Sequence, residues 1–308
     1  MKNKELQDEE ILLAHGSGGR LTHDLITSKF LPRLGNALLD ILGDSAVFDL
    51  GDKRLCFTTD SYVINPIFFP GGNIGSLAVH GTVNDIAVSG GRPLFMSAGF
   101  ILEEGLKMSD LEAIIESMAE AANAAGVKIV TGDTKVVPKG SADRIFINTA
   151  GVGVMEYEGE ISMSRIAQGD LVIVNGTIGD HGAAVMSTRE GIGVSRTLTS
   201  DCASLNGLIG GILDVSPNIH FMRDPTRGGL GSVLVEAAQG SGARIEINEG
   251  DIPVREEVRG LCEILGIDPL FMANEGKVVL FCPESEAEKV LSFMKGHTCG
   301  RRSAVIGE

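Results

Sequence analysis

The sequence contains no tryptophan and only 2 tyrosines among its 308 residues, so few aromatic side chains are available to stack on nucleic acid bases. Positive charge is also scarce, because 26 lysines and arginines stand against 41 acidic residues and the net charge is -15. Broad binding to a phosphate backbone requires a basic surface, so we expect no nucleic acid partner. An acidic protein can still bind a nucleotide when a divalent metal ion bridges its carboxylates to the phosphates.

Long apolar runs and export signals are missing too. No segment approaches the ~20 apolar residues that span a bilayer, so we expect no membrane association. Residues 1–10 are polar and charged and do not resemble a signal peptide, which favours a cytoplasmic protein. The cysteines lack the spacing of a metal site or redox pair and are expected to be free thiols. They are Cys56, Cys202, Cys262, Cys282 and Cys299.

Helix-like and strand-like segments alternate along both halves of the chain, which predicts a mixed α/β (α+β) protein. Small and polar residues dominate 156–169, and this places two domains at residues 1–156 and 165–308. Predicted strands cover residues 54–59, 94–102, 127–131, 144–154, 170–176 and 304–306. Predicted helices cover 77–89 and 284–295, and another carries Leu230, Val233, Leu234, Ala237 and Ala238.

The clearest predicted helix follows Ser109. Ser109 and Glu112 have the spacing of a capping box, in which each side chain satisfies a backbone N–H at the start of a helix. Gly126 is placed to end the helix. The apolar face is predicted to comprise Leu111, Ile114, Ile115, Met118, Ala119 and Ala122.

Five aspartates end apolar segments and stand beside small residues that leave room for a ligand. They are Asp44, Asp60, Asp85, Asp133 and Asp224. Mg²⁺ takes oxygen ligands and is usually held by one or two carboxylates together with substrate phosphates. Aspartate also caps helices and begins turns, and the pattern alone leaves both interpretations open. The sequence contains neither a Walker-type phosphate loop nor the glycine fingerprint of a dinucleotide-binding fold.

Two further side chains are candidates for proton transfer. Lys135 is a phosphate contact, a base of lowered pKa, or an ordinary surface lysine. Glu275 stands between apolar runs and is either a partly buried proton-transfer group or a turn residue. The glycine-rich segment 15–19 is either a phosphate-binding loop or a flexible entry loop.

Motifs along the whole chain, taken in order, resemble those of the hydrogenase maturation factor HypE family, the carbamoyl dehydratases. The resemblance runs from about residue 12 to residue 308. Segments 68–73 (FFPGGN) and 100–105 (FILEEG) point to this family most specifically. The matching segments are 13–19, 57–64, 68–75, 81–90, 99–105, 130–136, 179–182, 223–229 and 273–277.

The resemblance implies the two-domain fold of the aminoimidazole ribonucleotide synthetase superfamily, in which the N-terminal sheets of a homodimer pair into a barrel. Residues 1–156 would then form the ATP-binding and dimerisation domain, and residues 165–308 the C-terminal α/β domain. ATP and Mg²⁺ are the implied cofactors, in a groove near the dimer interface. The implied metal and phosphate ligands are Asp44, Asp60, Asp85 and Asp224, and the same groove is expected to include Asn84, Asp133, Thr134 and Lys135.

The activity implied by the resemblance is the ATP-dependent dehydration of a carboxamide, carried on a C-terminal cysteine, to a thiocyanate. The thiocyanate supplies cyanide ligands to the iron of nickel–iron hydrogenases. A carbamoyltransferase of the HypF type is the implied carbamoyl donor, and a HypC–HypD type complex is the implied iron carrier. Lys135 and Glu275 match the positions expected to remove the amide protons.

The carboxyl terminus departs from the family pattern. Family members end in Pro-Arg-Ile-Cys, whereas this chain ends in VIGE at residues 305–308. Either the tail has been removed or this protein does not carry the carbamoyl group itself. As given, the chain is expected to bind ATP and hydrolyse it slowly without completing the self-modification.

Two alternatives remain open. One is a sister enzyme that phosphorylates a small molecule, of the selenophosphate synthetase or thiamine-phosphate kinase type. Selenophosphate synthetase has a reactive cysteine or selenocysteine near its glycine-rich loop, where this chain has His15 and no cysteine. The other alternative is a non-catalytic maturation scaffold, and the missing tail favours it.

Overall fold

The computed structural model describes residues 10–189 and 198–308. In the N-terminal half, short 3₁₀ or π turns occur at Leu13–Gly16, Ile26–Phe30 and Leu39–Ile41. The helices are α1 (Arg20–Leu25), α2 (Leu31–Leu34), α3 (Ile74–Val88) and α4 (Met108–Ala125). The strands are β1 (Ala46–Leu50), β2 (Lys53–Tyr62), β3 (Phe68–Phe69), β4 (Gly72–Asn73), β5 (Gly91–Glu103), β6 (Lys128–Val137) and β7 (Ile145–Met155).

The C-terminal half continues the alternation of strands and helices. Its strands are β8 (Asp170–Val174), β9 (Phe221–Arg223), β10 (Val279–Pro283) and β11 (Ala304–Gly307). Its helices are α5 (Asp180–Arg189), α6 (Asn206–Val215), α7 (Gly229–Ser241), α8 (Glu256–Leu265) and α9 (Glu284–Gly296). Single 3₁₀ turns occur at Met163–Arg165, Glu249–Asp251, Pro269–Phe271 and Thr298–Gly300.

Two main sheets organise these elements. The first has the strand order β1-β2-β7-β5-β6, in which β5 and β6 run parallel and the other neighbours are antiparallel. The second has the order β11-β8-β10-β9 and is antiparallel. The mixed α/β class is therefore confirmed. The first sheet is open within this single chain, and the domain limits at 1–156 and 165–308 stay a prediction.

Helices α3 and α4 cover one face of the first sheet. The buried core between them and the sheet includes Ile74, Val79, Val83, Ile114, Met118, Ile145 and Ile147. The opposite face of the sheet is uncovered in a single chain, and Phe57, Phe95 and Ile101 there remain 42%, 45% and 42% exposed. The strand predicted at 94–102 as buried is confirmed as a strand, but side chains on its uncovered face are exposed.

The capping box predicted for α4 is wrong, whereas its predicted end is confirmed. Helix α4 begins at Met108, and the preceding Lys107 makes no side-chain cap, so Ser109 lies inside the first turn. Gly126 ends the helix with φ = 73°, in the left-handed region that favours glycine. The predicted face is also shifted: Ile115 and Ala119 are exposed, and the buried residues are Ile114, Met118, Ala121, Ala122 and Ala125.

A capping box does occur at α3, which begins three residues before the predicted start of that helix. The Asn73 Oδ1 accepts N–H hydrogen bonds from Gly75 at 2.8 Å and Ser76 at 3.3 Å, and the Ser76 Oγ accepts one from the Asn73 N–H at 3.1 Å. This cap fixes the start of the helix that carries Asp85 near its C-terminal end. Within residues 10–189 and 198–308, no helix is both long and apolar enough to cross a membrane.

Candidate active site

Side chains from both halves of the chain line one large cavity of about 1250 Å³. Strand β2 supplies Asp60, the segment before β1 supplies Asp44, and α3 supplies Asp85. Asp224 follows β9, and Glu275 comes from the turn before β10. Five of the predicted site residues, which are far apart in the sequence, therefore share a single cavity.

The Asp44 carboxylate is held by an arginine from the other half of the chain. Arg223 donates from Nε at 2.9 Å and from a terminal nitrogen at 2.8 Å, and both N–H groups reach the same Asp44 oxygen. Another Arg223 nitrogen lies 2.7 Å from Glu236 on α7. The Asp44 charge raises the pKa of Arg223, so the guanidinium stays charged. Arg223 thus fixes Asp44 through one oxygen.

The cavity raises the pKa of both Asp85 and Asp224. Burial, followed by the charges of Asp224, Asp44 and Asp60, raises the pKa of Asp85 well above its usual range. Burial and the charge of Asp44 raise the pKa of Asp224 to about 7, although Arg223 acts in the opposite direction. Ionising all of these carboxylates together is costly because like charges repel at short range. A bound cation would offset this repulsion.

The donor set of this cavity fits a magnesium ion that is also held by phosphate. In the described residues, 10–189 and 198–308, no three His, Cys, Asp or Glu side chains are arranged to hold a metal ion by themselves. Mg²⁺ does not require such a cage, because it keeps water ligands and is usually bound through one or two carboxylates plus substrate phosphates. The carboxylates of Asp85, which is partly buried, and Asp224, which is buried, are of this kind.

Glu275 lies in the turn between Met272 and β10 and faces the cavity. Burial raises the pKa of Glu275 well above its usual range, and the charges of Asp201, Asp224 and Asp60 act in the same direction. A carboxyl group of raised pKa keeps its proton to higher pH, and once it has lost that proton it is a stronger base than an ordinary glutamate. Its environment therefore agrees with the proton-transfer interpretation of the sequence.

Asp133 and Lys135 lie on β6, apart from the cavity. Their side chains are 70% exposed and their charged atoms are 3.2 Å apart. The hydrogen bond and charge of Lys135 lower the pKa of Asp133. Within one chain they form a surface ion pair.

The sheet register explains this separation of segment 133–135 from the cavity. Ser61 on β2 pairs with Asn148, Asn148 pairs with Gly99, and Gly99 pairs with Asp133. Three strand-to-strand steps of ~4.8 Å place Asp133 roughly 14 Å from Ser61, which lines the cavity. The expectation that this segment shares the groove with the four aspartates is not met within a single chain.

Asn84 is predicted to contact the nucleotide, and in the structure its side chain is buried among backbone groups. It is only 2% exposed and does not line the cavity. Its Nδ2 lies 3.1 Å from the Ala203 carbonyl and 3.4 Å from the Glu275 carbonyl, and its Oδ1 accepts the Leu205 N–H at 2.8 Å. Because these backbone groups occupy the carboxamide, Asn84 joins α3 to the C-terminal half.

Sequence reasoning missed the cations that accompany the acidic cluster. Arg223 binds Asp44, and an Arg227 nitrogen lies 3.8 Å from an Asp60 oxygen. Both arginines flank Asp224 in the segment RDPTR, so their spacing was visible in the sequence. Their contacts with the N-terminal half were not visible, because they join residues more than 160 positions apart.

Comparison with known proteins identifies the family. The AIR synthase related protein N-terminal domain matches residues 42–155, and the corresponding C-terminal domain matches residues 167–308. A carbamoyl dehydratase HypE of Azotobacter vinelandii is 49% identical over 307 residues, covering 100% of this chain and 90% of the relative. The chain belongs to the HypE family of carbamoyl dehydratases.

Solved HypE structures share this fold. The crystal structure of a HypE–HypF complex aligns with a TM-score of 0.88 at 49% identity, covering 92% of each chain. A HypE structure in complex with ATP aligns with a TM-score of 0.81 at 48% identity, covering 97% of this chain and 89% of the other. The HypE family resemblance inferred from the short motifs is therefore confirmed.

Proposed function

We propose that this chain uses ATP to dehydrate a protein-bound S-carboxamide to a thiocyanate during nickel–iron hydrogenase maturation. The single observation that carries the proposal is the convergence of Asp44, Asp60, Asp85, Asp224 and Glu275 in one cavity. Membership of the HypE family supports the same activity. A HypF-type carbamoyltransferase is the proposed carbamoyl donor, a HypC–HypD type complex is the proposed recipient, and the cytoplasm is the proposed compartment.

The reaction requires two changes at the carboxamide. Its oxygen first attacks the γ-phosphorus of ATP, which breaks the bond to ADP and leaves an O-phosphorylated intermediate after loss of one N–H proton. The second N–H proton then leaves with cleavage of the C–O bond, which releases phosphate and forms the C≡N bond. Phosphate leaves far more readily than the oxygen of an amide. The net products are a thiocyanate, ADP, phosphate and a proton.

Residues of the cavity supply the groups that this reaction needs. Asp44, Asp60, Asp85 and Asp224 are the proposed ligands of Mg²⁺, which would neutralise the phosphate charge when bound. Glu275 is the proposed base for an amide proton, because burial and neighbouring carboxylates make it a stronger base than usual.

Lys135 requires a second copy of the chain in this proposal. The uncovered apolar face of the first sheet favours a homodimer in which two sheets pack face to face into a barrel. Asp133, Thr134 and Lys135 lie on the edge strand β6 of that sheet. We propose that they approach the partner's cavity, where Lys135 serves as the other base.

Mass spectrometry tests the proposed activity directly. The chain is extended by a tail ending in cysteine and incubated with ATP, Mg²⁺ and the carbamoyl donor system. We expect a mass gain from carbamoylation, followed by the loss of one water only when ATP is present. A carbamoylated protein that never loses water with ATP would contradict the proposal. ATP use on free selenide or thiamine phosphate would favour a sister enzyme.

A charged substitution on the uncovered face tests the dimer. Phe95→Glu places a carboxylate among apolar side chains of β5, so we expect the protein to elute as a monomer in size-exclusion chromatography with light scattering. Ile264→Glu is the matched control, because Ile264 is 69% exposed on α8, away from this sheet. A Phe95→Glu protein that stays dimeric would argue against the face-to-face arrangement.

A further inference from the structure

The turn that carries Glu275 rests on a buried ion pair. The Lys277 Nζ lies 2.9 Å from the Asp201 Oδ2, and the two side chains are only 10% and 3% exposed. Neither residue lines the cavity. The Lys277 charge holds the pKa of Asp201 below its usual range, although burial alone would raise it. Asp201 therefore remains ionised.

The same carboxylate also binds the backbone of the turn. Asp201 accepts the N–H of Glu275 at 3.3 Å and the N–H of Gly276 at 3.1 Å. A Cβ at Gly276 would lie 1.9 Å from the Asp201 carbonyl oxygen, so the two segments are in close contact. Asp201 thus holds the backbone N–H groups of Glu275, the proposed base, and of the next residue, Gly276.

The carbonyl groups of this turn are fixed as well. The Glu275 carbonyl faces the Asn84 Nδ2 at 3.4 Å, and the Gly276 carbonyl accepts a hydrogen bond from the Asn175 Nδ2 at 3.1 Å. The backbone is therefore held on both sides, while the Glu275 side chain faces the cavity. A rotation of the turn would break several hydrogen bonds at once.

A buried ion pair is poor evidence for stability by itself. Removing two charges from water is costly, and apolar replacements of similar volume are often as stable or more stable. Asp201 and Lys277 nevertheless form a buried ion pair, and Asp201 binds the backbone N–H of Glu275. Small displacements of a catalytic group lower reaction rates strongly. An ion pair that holds the Glu275 turn in place would therefore contribute to the rate rather than to stability.

We propose that Asp201, paired with Lys277, is a positioning residue of the dehydration reaction that acts by holding the Glu275 turn. This inference rests on the proposed function, because it requires Glu275 to be the base. Asp201 touches no reacting atom in this proposal. Its effect on the rate must therefore pass through Glu275.

A double-mutant cycle tests this dependence. Asp201→Asn keeps the shape of the side chain but removes its charge, and Asp201→Asn with Lys277→Met also removes the charge that would be left unpaired. Single-turnover dehydration is followed by intact mass in the tail-extended chain with HypF-type donor and ATP. We expect either change to lower the rate about 10- to 100-fold, with the ATP KM within about twofold.

The decisive comparison is made in the Glu275→Gln background. A positioning residue has nothing left to position there, so Asp201→Asn should cause no further loss of rate. Asp214→Asn, on the exposed side of α6, is the control and should leave the rate unchanged in both backgrounds.

Each contrary outcome identifies what has failed. An equal loss from Asp201→Asn with and without Glu275 would overturn the positioning role and leave the proposed function intact. Unchanged rates in both Asp201 variants would do the same. Full dehydration by Glu275→Gln would overturn both the catalytic assignment of Glu275 and this inference.

Discussion

Glu275→Gln is expected to slow dehydration strongly while ATP binding persists. Glutamine keeps the size and polarity of the side chain but cannot accept the amide proton. Loss of a positioned general base lowers a rate by roughly 10² to 10⁴-fold. Binding of ATP should change little, because the proposed Mg²⁺ ligands are untouched. Dehydration is measured by intact mass and ATP binding by calorimetry.

An exposed glutamate provides the control for this substitution. Glu288→Gln makes the same chemical change on the exposed side of α9 and should leave both measurements at the level of the unmodified chain. If Glu275→Gln dehydrates at the normal rate, Glu275 is not the base. If it loses ATP binding as well, its role lies in holding the nucleotide.

Asp224→Asn is expected to stabilise the ligand-free protein at neutral pH and to weaken its response to ATP and Mg²⁺. Burial and the charge of Asp44 raise the pKa of Asp224 to about 7. An aspartate in the unfolded chain ionises near ~3.9. Between these two values the unfolded chain releases this proton and the folded protein keeps it, so stability falls as pH rises.

The size of this effect follows from the difference in pKa. About three pKa units correspond to roughly 4 kcal/mol once both states are ionised, which is several degrees in Tm. Asparagine does not ionise, so the Asp224→Asn protein should melt higher at pH 7.5 and no higher below pH 4. In the unmodified chain, saturating ATP and Mg²⁺ should raise Tm, and this gain should shrink in the variant.

Thermal unfolding at several pH values, with and without nucleotide, measures these changes. Asp52→Asn in the exposed turn between β1 and β2 is the matched control and should leave every Tm unchanged. A lower Tm of ligand-free Asp224→Asn at pH 7.5 would show that Asp224 stabilises the fold. An unchanged response to ATP and Mg²⁺ would remove Asp224 from the proposed ligands.

Local patterns identified most of the regular structure because they depend on residues close in the sequence. Gly126 ends α4 as predicted, since a left-handed backbone favours glycine at this position. The capping box at Ser109 failed although its spacing was suitable, because the helix begins at Met108. At α3, Asn73 forms a cap that was not predicted from the sequence. Several nearby residues can cap a helix, and the packing of the helix on the sheet selects the residue at which it begins.

The order of short motifs along the chain is enough to identify the family, and the alternation of helix-like and strand-like segments is enough to identify the mixed α/β class. The aspartates and the glutamate of the cavity were predicted from the same motifs. Only the tertiary structure showed that Arg223 binds Asp44 and that Asn84 is occupied by backbone groups. It also separated Lys135 from the cavity of its own chain, through three steps of the sheet. Contacts and pKa values depend on side chains that folding brings together from distant positions, and spacing along the sequence does not record how close those side chains come.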